Sequence, residues 1–286
     1  MLVQLPIALS AALIYVLAVI FLKRALQEGA GSWRVTFICN MVAVIGYQAC
    51  WLVRTQPFSA IGAMHAAMAA CAFFAGQIFT FLALNRGDVS VVTPILGTKV
   101  IWLAFLSVLL AGRQLPQHIW IAAFVTALGT AIIGFQPGAR PSHVVSSIGL
   151  ALATTGSFAL GEIFILKYSS AWGFGSFVPT MFIFVGILSL GLIPFMRGKS
   201  WAPATLGLGA VLLAIQSLAM IFAIWKYGRP TQLNIAYNSR GLWTVLVIWF
   251  CGPLLGNTER DRGSRIMLLR LAGAALLVIA IFIASL

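Results

Sequence analysis

Lys99 and Arg240 each lie about ten residues inside a long apolar run, and each is followed three positions later by a tryptophan, Trp102 and Trp243. At 1.5 Å per helical residue both charges sit roughly 15 Å from the end of the run, near the bilayer midplane. A side chain reaching about 6 Å cannot carry its charge back to the headgroups. On the insertion scale each residue costs about 2.5–3.5 kcal/mol at that depth, so both must face a wet cavity or a partner. Two positive charges on separate helices suit an anion. Lysine supplies a point charge, and arginine a planar fork matched to phosphate or carboxylate. The tryptophans share a helical face with their basic residues and could stack a ring or hold the cation. Tyr237 and Asn234 precede Arg240 by three and six, on the same face. Lys99, Arg240, Trp102, Trp243, Tyr237 and Asn234 are therefore the candidate substrate-binding residues.

Glu162 is the one acidic residue well inside an apolar run. Three roles are open to it: neutralising Lys99 or Arg240 without substrate, carrying a coupling proton, or pairing structurally near its helix end. Gln48, Gln77 and Gln216 read mainly as interhelical hydrogen-bonding groups, and Asn238 as bonding a neighbouring helix. His65, His118 and His143 suit the membrane interface and show no metal spacing with each other or with cysteine. No metal site and no cofactor is expected. An intramembrane enzyme would need a nucleophile with its base, or a metal cluster. There is no histidine–acid pair at catalytic spacing, no paired acids and no Gly-x-Ser-x-Gly, so the chain reads as a non-enzyme. A channel would need a polar stripe along one helix, and none runs through.

These residues must be positioned by helices in lipid. The chain has 286 residues, 61% hydrophobic and 8% charged, far from the composition of a soluble domain and opposite to that of a disordered one. A ruler of about 20 apolar residues per crossing yields ten spans, at about 5–22, 33–53, 62–84, 89–111, 117–135, 146–168, 175–196, 203–226, 231–250 and 265–285. The runs do not alternate as barrel strands would. Short gaps leave no room for a soluble domain, and the first span reads as a retained helix rather than a cleaved signal. The expected fold is an all-α polytopic membrane protein with ten transmembrane helices. Its 18 Lys and Arg against 5 Asp and Glu fall singly in the gaps, as headgroup anchors do, which excludes nucleic acid as a partner. Loops on the side of the termini carry five basic residues and the opposite loops ten, which favours both termini outside. Cys39, Cys50, Cys71 and Cys251 lie in apolar runs and read as small buried hydrophobes. Pro94 and Pro179 are candidate bends, and Gly97, Gly161 and Gly241 candidate points of close helix approach.

The two halves look alike. A shift of 141 brings Gly87 onto Gly228, Thr98-Lys99 onto Ser239-Arg240 and Trp102 onto Trp243; a shift of 144 brings Ile20–Lys23 onto Phe164–Lys167. The reading is two five-helix repeats, residues 1–138 and 139–286. Five is odd, so the second enters the membrane inverted, an arrangement of transporters with substrate near the midplane between the halves. Glu162 falls opposite Ala18 and breaks the symmetry.

The ten-helix layout, together with the stretch from Ala83 through Asn85-Arg86-Gly87-Asp88 to Pro94 leading into the fourth span, resembles the drug/metabolite transporter superfamily in its EamA-like ten-helix branch. Members often carry Gly-Glu after the fourth helix, where this chain has Gly112-Arg113. The first span also lacks the glutamate of the small multidrug proteins. Lys99 and Arg240 partly resemble the basic residues through which triose-phosphate/phosphate translocators bind phosphate, although those have Lys-Arg on the ninth helix where this chain has Ser239-Arg240. The resemblance implies a secondary active transporter in the plasma (inner) membrane. Together with the basic pair it points to a small organic anion bearing phosphate or carboxylate, moved by alternating access. The alternatives are an exporter of amino acids or similar zwitterions, and a lipid-phosphate flippase. Partners are the small-molecule substrate and the lipid bilayer, and two fused halves can make a complete carrier as a monomer.

Overall fold

The computed structural model describes residues 3–86, 92, 95–134, 144–251 and 264–286. Its helices are α1 Leu5–Gln27, α2 Ser32–Tyr47 with a 3-10 continuation Gln48–Val53, α3 Ala60–Arg86, α4 Lys99–Leu109, α5 Gln117–Gly134, α6 Val144–Trp172, α7 Phe174–Leu190, α8 Pro203–Tyr227, α9 Pro230–Tyr237, α10 Arg240–Cys251 and α11 Ser264–Ser285. Prolines in the first turn open α1, α8 and α9, where the missing N–H costs nothing. Gly228, at φ 65°, closes α8 in the left-handed conformation. Among the described residues seven helices are long and apolar enough to cross a membrane, and Lys99–Leu109 and Phe174–Leu190 are shorter apolar ones. No strand occurs among the described residues. The chain is an all-α polytopic membrane protein.

The described helices fall on the ten expected spans, with one difference. The fourth and ninth spans are not continuous. Residues 95 and 96 are helical, Gly97 and Thr98 form a turn, and α4 starts at Lys99; Asn238 and Ser239 form the matching turn, and α10 starts at Arg240. The two turns share one hydrogen-bond pattern. The Thr98 amide donates to Ile95 O at 2.9 Å and the Ser239 amide to Ala236 O at 3.0 Å; one turn on, the Trp102 amide donates to Thr98 O at 3.2 Å and the Trp243 amide to Ser239 O at 3.0 Å. Each ladder thus tightens locally to i→i+3. In the fourth span the Thr98 hydroxyl also donates to Ile95 O, at 2.7 Å, competing with the backbone for that carbonyl. Pro94 lies outside the described residues.

Packing partners are reciprocal under an exchange of the first five spans with the last five. Helix α3 packs on α6, as α8 packs on α1; α3 also meets α7, as α8 meets α2; α4 meets α6, as α9 and α10 meet α1. The self-related pairs α2–α7 and α5–α11 are in contact too. In lipid the apolar faces gain nothing from water exclusion, so helices associate through close van der Waals fit and small residues. Ala8, Ala11 and Ala12 of α1 are fully buried, and Gly161 of α6 lies against Ala69, Ala72 and Phe73 of α3. Ile45, Leu109 and Phe124 remain exposed, on faces that lipid covers. Cys39 and Cys50 are buried as expected, but Cys71 is exposed. It sits on an apolar lipid-facing surface, where burial in protein is not required of a thiol. The side chain of Cys251 lies outside the described residues.

Helices α5 and α11 approach closely at Gly129 and Gly273, where a methyl group on Gly273 would stand 2.7 Å from the Gly129 carbonyl oxygen. A backbone oxygen cannot swing aside. Gly273→Ala is expected to force the helices apart and lower stability by about 1–3 kcal/mol, read as a fall in melting temperature of the detergent-solubilised protein.

Candidate functional site

The restart of α4 places Lys99 against α6, and the ammonium forms an ion pair with Glu162. Lys99 Nζ also donates to Asn234 Oδ1 at 3.1 Å, and Asn234 Nδ2 donates to Glu162 Oε2 at 2.6 Å. Lysine, glutamate and asparagine, from α4, α6 and α9, therefore close a hydrogen-bonded ring. Asn234 Nδ2 is fixed further by the Pro230 carbonyl one turn back, at 3.0 Å. The asparagine is 2% exposed, whereas the Lys99 and Glu162 side chains are 20% and 17% exposed. The pair is thus desolvated in large part but not sealed. Phe158, one turn before Glu162 on α6, has its ring centroid 6.0 Å from Lys99 Nζ. It is this ring, not that of Trp102, that lies against the ammonium.

Arg240 is held differently. Its Cζ lies 4.9 Å from the ring of Tyr237 and 4.9 Å from that of Tyr15 on α1, and the two rings meet edge to face at 5.8 Å and 72°. Among the described residues no carboxylate contacts the guanidinium; Glu162 acts on it through space. Aromatic rings beside a guanidinium attract it through their quadrupoles. One turn past Arg240, Trp243 is half-buried against the main core. Its indole Nε1 is buried and has no hydrogen-bond partner among the described residues.

The structure thus brings together Lys99, Glu162 and Asn234, and beside them Arg240 with Tyr237. Trp102 is not in this group. It lines an apolar crevice of about 390 Å³ with Thr98, Ile101, Phe105, Trp120 and Leu152. Tyr15 and Phe158 were not singled out from the sequence. The one available signal for Tyr15 is that it is the single tyrosine of the first span.

The remaining polar residues hold helices together. Gln77 Nε2 donates to Asn40 Oδ1 at 2.8 Å, and Asn40 Nδ2 donates to Gln77 Oε1 at 2.9 Å and to Ser189 Oγ at 2.8 Å, which ties α2, α3 and α7. Gln48 donates to Val44 O within its own helix and accepts from the Trp51 indole; it bonds locally rather than across helices. Asn238 serves the ninth-span turn through its backbone, donating to Asn234 O. His65 stacks on Tyr168 with centroids 3.8 Å apart. His143 lies outside the described residues. Gly241, a second expected approach point, faces Ile133 and Leu277. No metal-binding cluster occurs among the described residues.

Residues 4–135 match the EamA-like transporter family. No curated protein matches the chain. A solved structure, described only as the crystal structure of a protein, superimposes with a TM-score of 0.70 over 96% of this chain and 96% of its own, at 17% identity; this is a likeness of fold. The helical membrane architecture and the family match agree: over residues 4–135, just under half of its length, the chain is similar to the EamA-like transporter family.

Proposed function

We propose that the protein is a secondary active transporter for a small organic anion bearing phosphate or carboxylate, working by alternating access between residues 1–138 and 139–286. One observation carries this reading. Two basic side chains stand at corresponding interruptions of the fourth and ninth spans, and the one carboxylate paired there among the described residues, Glu162, is taken by Lys99. Each interruption starts a new half-helix at the basic residue, and a helix N-terminus adds a fraction of a positive charge to the same place. Interrupted helices around a polar cluster at membrane depth are the means by which carriers bind charged solutes. The reciprocal packing of the spans supports an inverted repeat, the symmetry that lets one half rock against the other. The buried unpartnered N–H of Trp243 is a further donor beside Arg240.

A zwitterionic substrate would need Glu162 for its amine, and both of that carboxylate's oxygens are engaged by Lys99 and Asn234. The anion is therefore the better fit. The test is the melting temperature of the purified protein against phosphates, carboxylates, amino acids and lipophilic cations. A ligand that binds only the native state raises it by mass action, by roughly 2.7 kcal/mol of stability at a hundred times Kd. Stabilisation by one anion class, absent in Arg240→Gln, is the expected result. Stabilisation by cations alone, unchanged in that variant, would overturn the proposal.

A further inference from the structure

We infer that the site takes a singly charged anion on Arg240 while Lys99 stays closed on Glu162 and Asn234, so that Glu162 sets the charge of the substrate. This rests on the anion reading above and adds the valence. Lys99 donates to two protein acceptors, Glu162 uses both oxygens, and Asn234 uses both ends of its amide. An anionic group that reaches Lys99 has to displace a carboxylate already there, exchanging one charge contact for another and gaining little. Arg240 has no such competitor: Tyr15 and Tyr237 pack against it from neighbouring directions, and no carboxylate touches it among the described residues. The charges of Lys99 and Glu162 cancel, leaving the one positive charge of Arg240. A monoanion neutralises that charge. A dianion leaves an uncompensated negative charge in a largely desolvated site, which is unfavourable.

Tyr15 and Tyr237 pack against the guanidinium, whose planar fork favours an oxyanion approaching in its own plane, as a carboxylate or a phosphodiester does. In this scheme Tyr15 and Tyr237 are positioning residues for Arg240, and the Trp243 indole N–H is a second donor on the same side of the helix.

The experiment compares matched probes of one and two charges on the same skeleton: monomethyl succinate against succinate, and methyl phenyl phosphate against phenyl phosphate. Dissociation constants come from melting-temperature titrations in detergent at mildly alkaline pH, where the second member of each pair is doubly ionised. Wild type is expected to prefer the monoanion by about tenfold, the effect of one moderate charge contact. Glu162→Gln frees Lys99 and is expected to reverse the preference by a similar factor. The double variant Lys99→Gln/Glu162→Gln again carries only the Arg240 charge, and its preference is expected to return to the monoanion. A wild-type preference for dianions, or a ratio unmoved by Glu162→Gln, would overturn the inference while leaving an anion carrier in place. Should Glu162→Gln not fold, the double variant decides alone, because a dianion preference there contradicts the charge count. If neither pair binds wild type while cations or neutral compounds do, the anion reading itself fails. If no compound of any class binds, both readings fail.

Discussion

Arg240→Gln is expected to lower anion affinity and the transport rate in proteoliposomes by roughly 30-fold or more, because truncating one partner of a desolvated charge contact costs about 2–5 kcal/mol. The size of the effect follows from position. Arg240 is the cation that no described carboxylate touches, and it starts a half-helix at membrane depth. Glutamine keeps two donors and much of the volume but no charge, so packing against Tyr15 and Tyr237 survives in part and the protein should still fold. Arg240→Lys keeps the charge and loses the planar fork and the stacking on two rings. It is expected to fall between wild type and Arg240→Gln. A lysine variant as active as wild type would mean that charge alone is recognised. A glutamine variant with unchanged flux would remove Arg240 from the site.

Lys99→Gln is expected to destabilise the protein by about 3 kcal/mol, the lower part of the range for breaking a buried ion pair. The lower part applies because both side chains keep about a fifth of their surface. The cost arises less from the lost attraction than from Glu162, left charged in a low-dielectric setting with Asn234 as its one remaining described hydrogen-bond partner. Lys99→Gln/Glu162→Gln removes both charges at once and is expected to recover most of the loss, since neutral replacements of buried pairs are often tolerated. The four proteins form a thermodynamic cycle read by melting temperature, with a coupling of about 1–3 kcal/mol expected for residues in one network. Additive single effects would show that the pair contributes nothing to folding. The same pairing bears on transport mode. With Lys99 neutralised from within, the substrate-free carrier reorients carrying one positive charge rather than two, so net efflux should accompany exchange in wild type. Counterflow without net efflux would contradict the internal pairing.

Much of this was legible along the chain because hydropathy adds up residue by residue. A run such as Leu5–Gln27 or Pro203–Tyr227 is long and apolar whatever its neighbours do, and a lysine or arginine ten residues inside such a run is costly wherever the helix points. Lys99, Arg240 and Glu162 stood out for that reason, and Tyr237 and Asn234 through helical spacing from Arg240. The turn before each basic residue was less visible. Gly97-Thr98 and Asn238-Ser239 are poor helix formers, but each occupies only two positions of an apolar run, and propensity that small does not outweigh the run.

The sequence by itself determined that the chain is a bundle of membrane helices, where the spans lie, and that two cations and one acid must be accommodated at depth. Which cation the acid neutralises was decided only by the tertiary structure. Glu162 could have reached either base; α4 packs on α6 while α10 packs on α1, and so Lys99 takes the carboxylate and Arg240 is left to Tyr15 and Tyr237. Trp102 shows the same dependence. Its spacing from Lys99 is that of Trp243 from Arg240, and both pack against the main core, yet Trp102 lines an apolar crevice while the indole N–H of Trp243 is buried beside Arg240 without a described partner. Spacing along a helix says which residues share a face. The direction in which that face points is set by how each helix rotates and tilts to fit its neighbours, through contacts between residues far apart in the chain, and no local pattern records it.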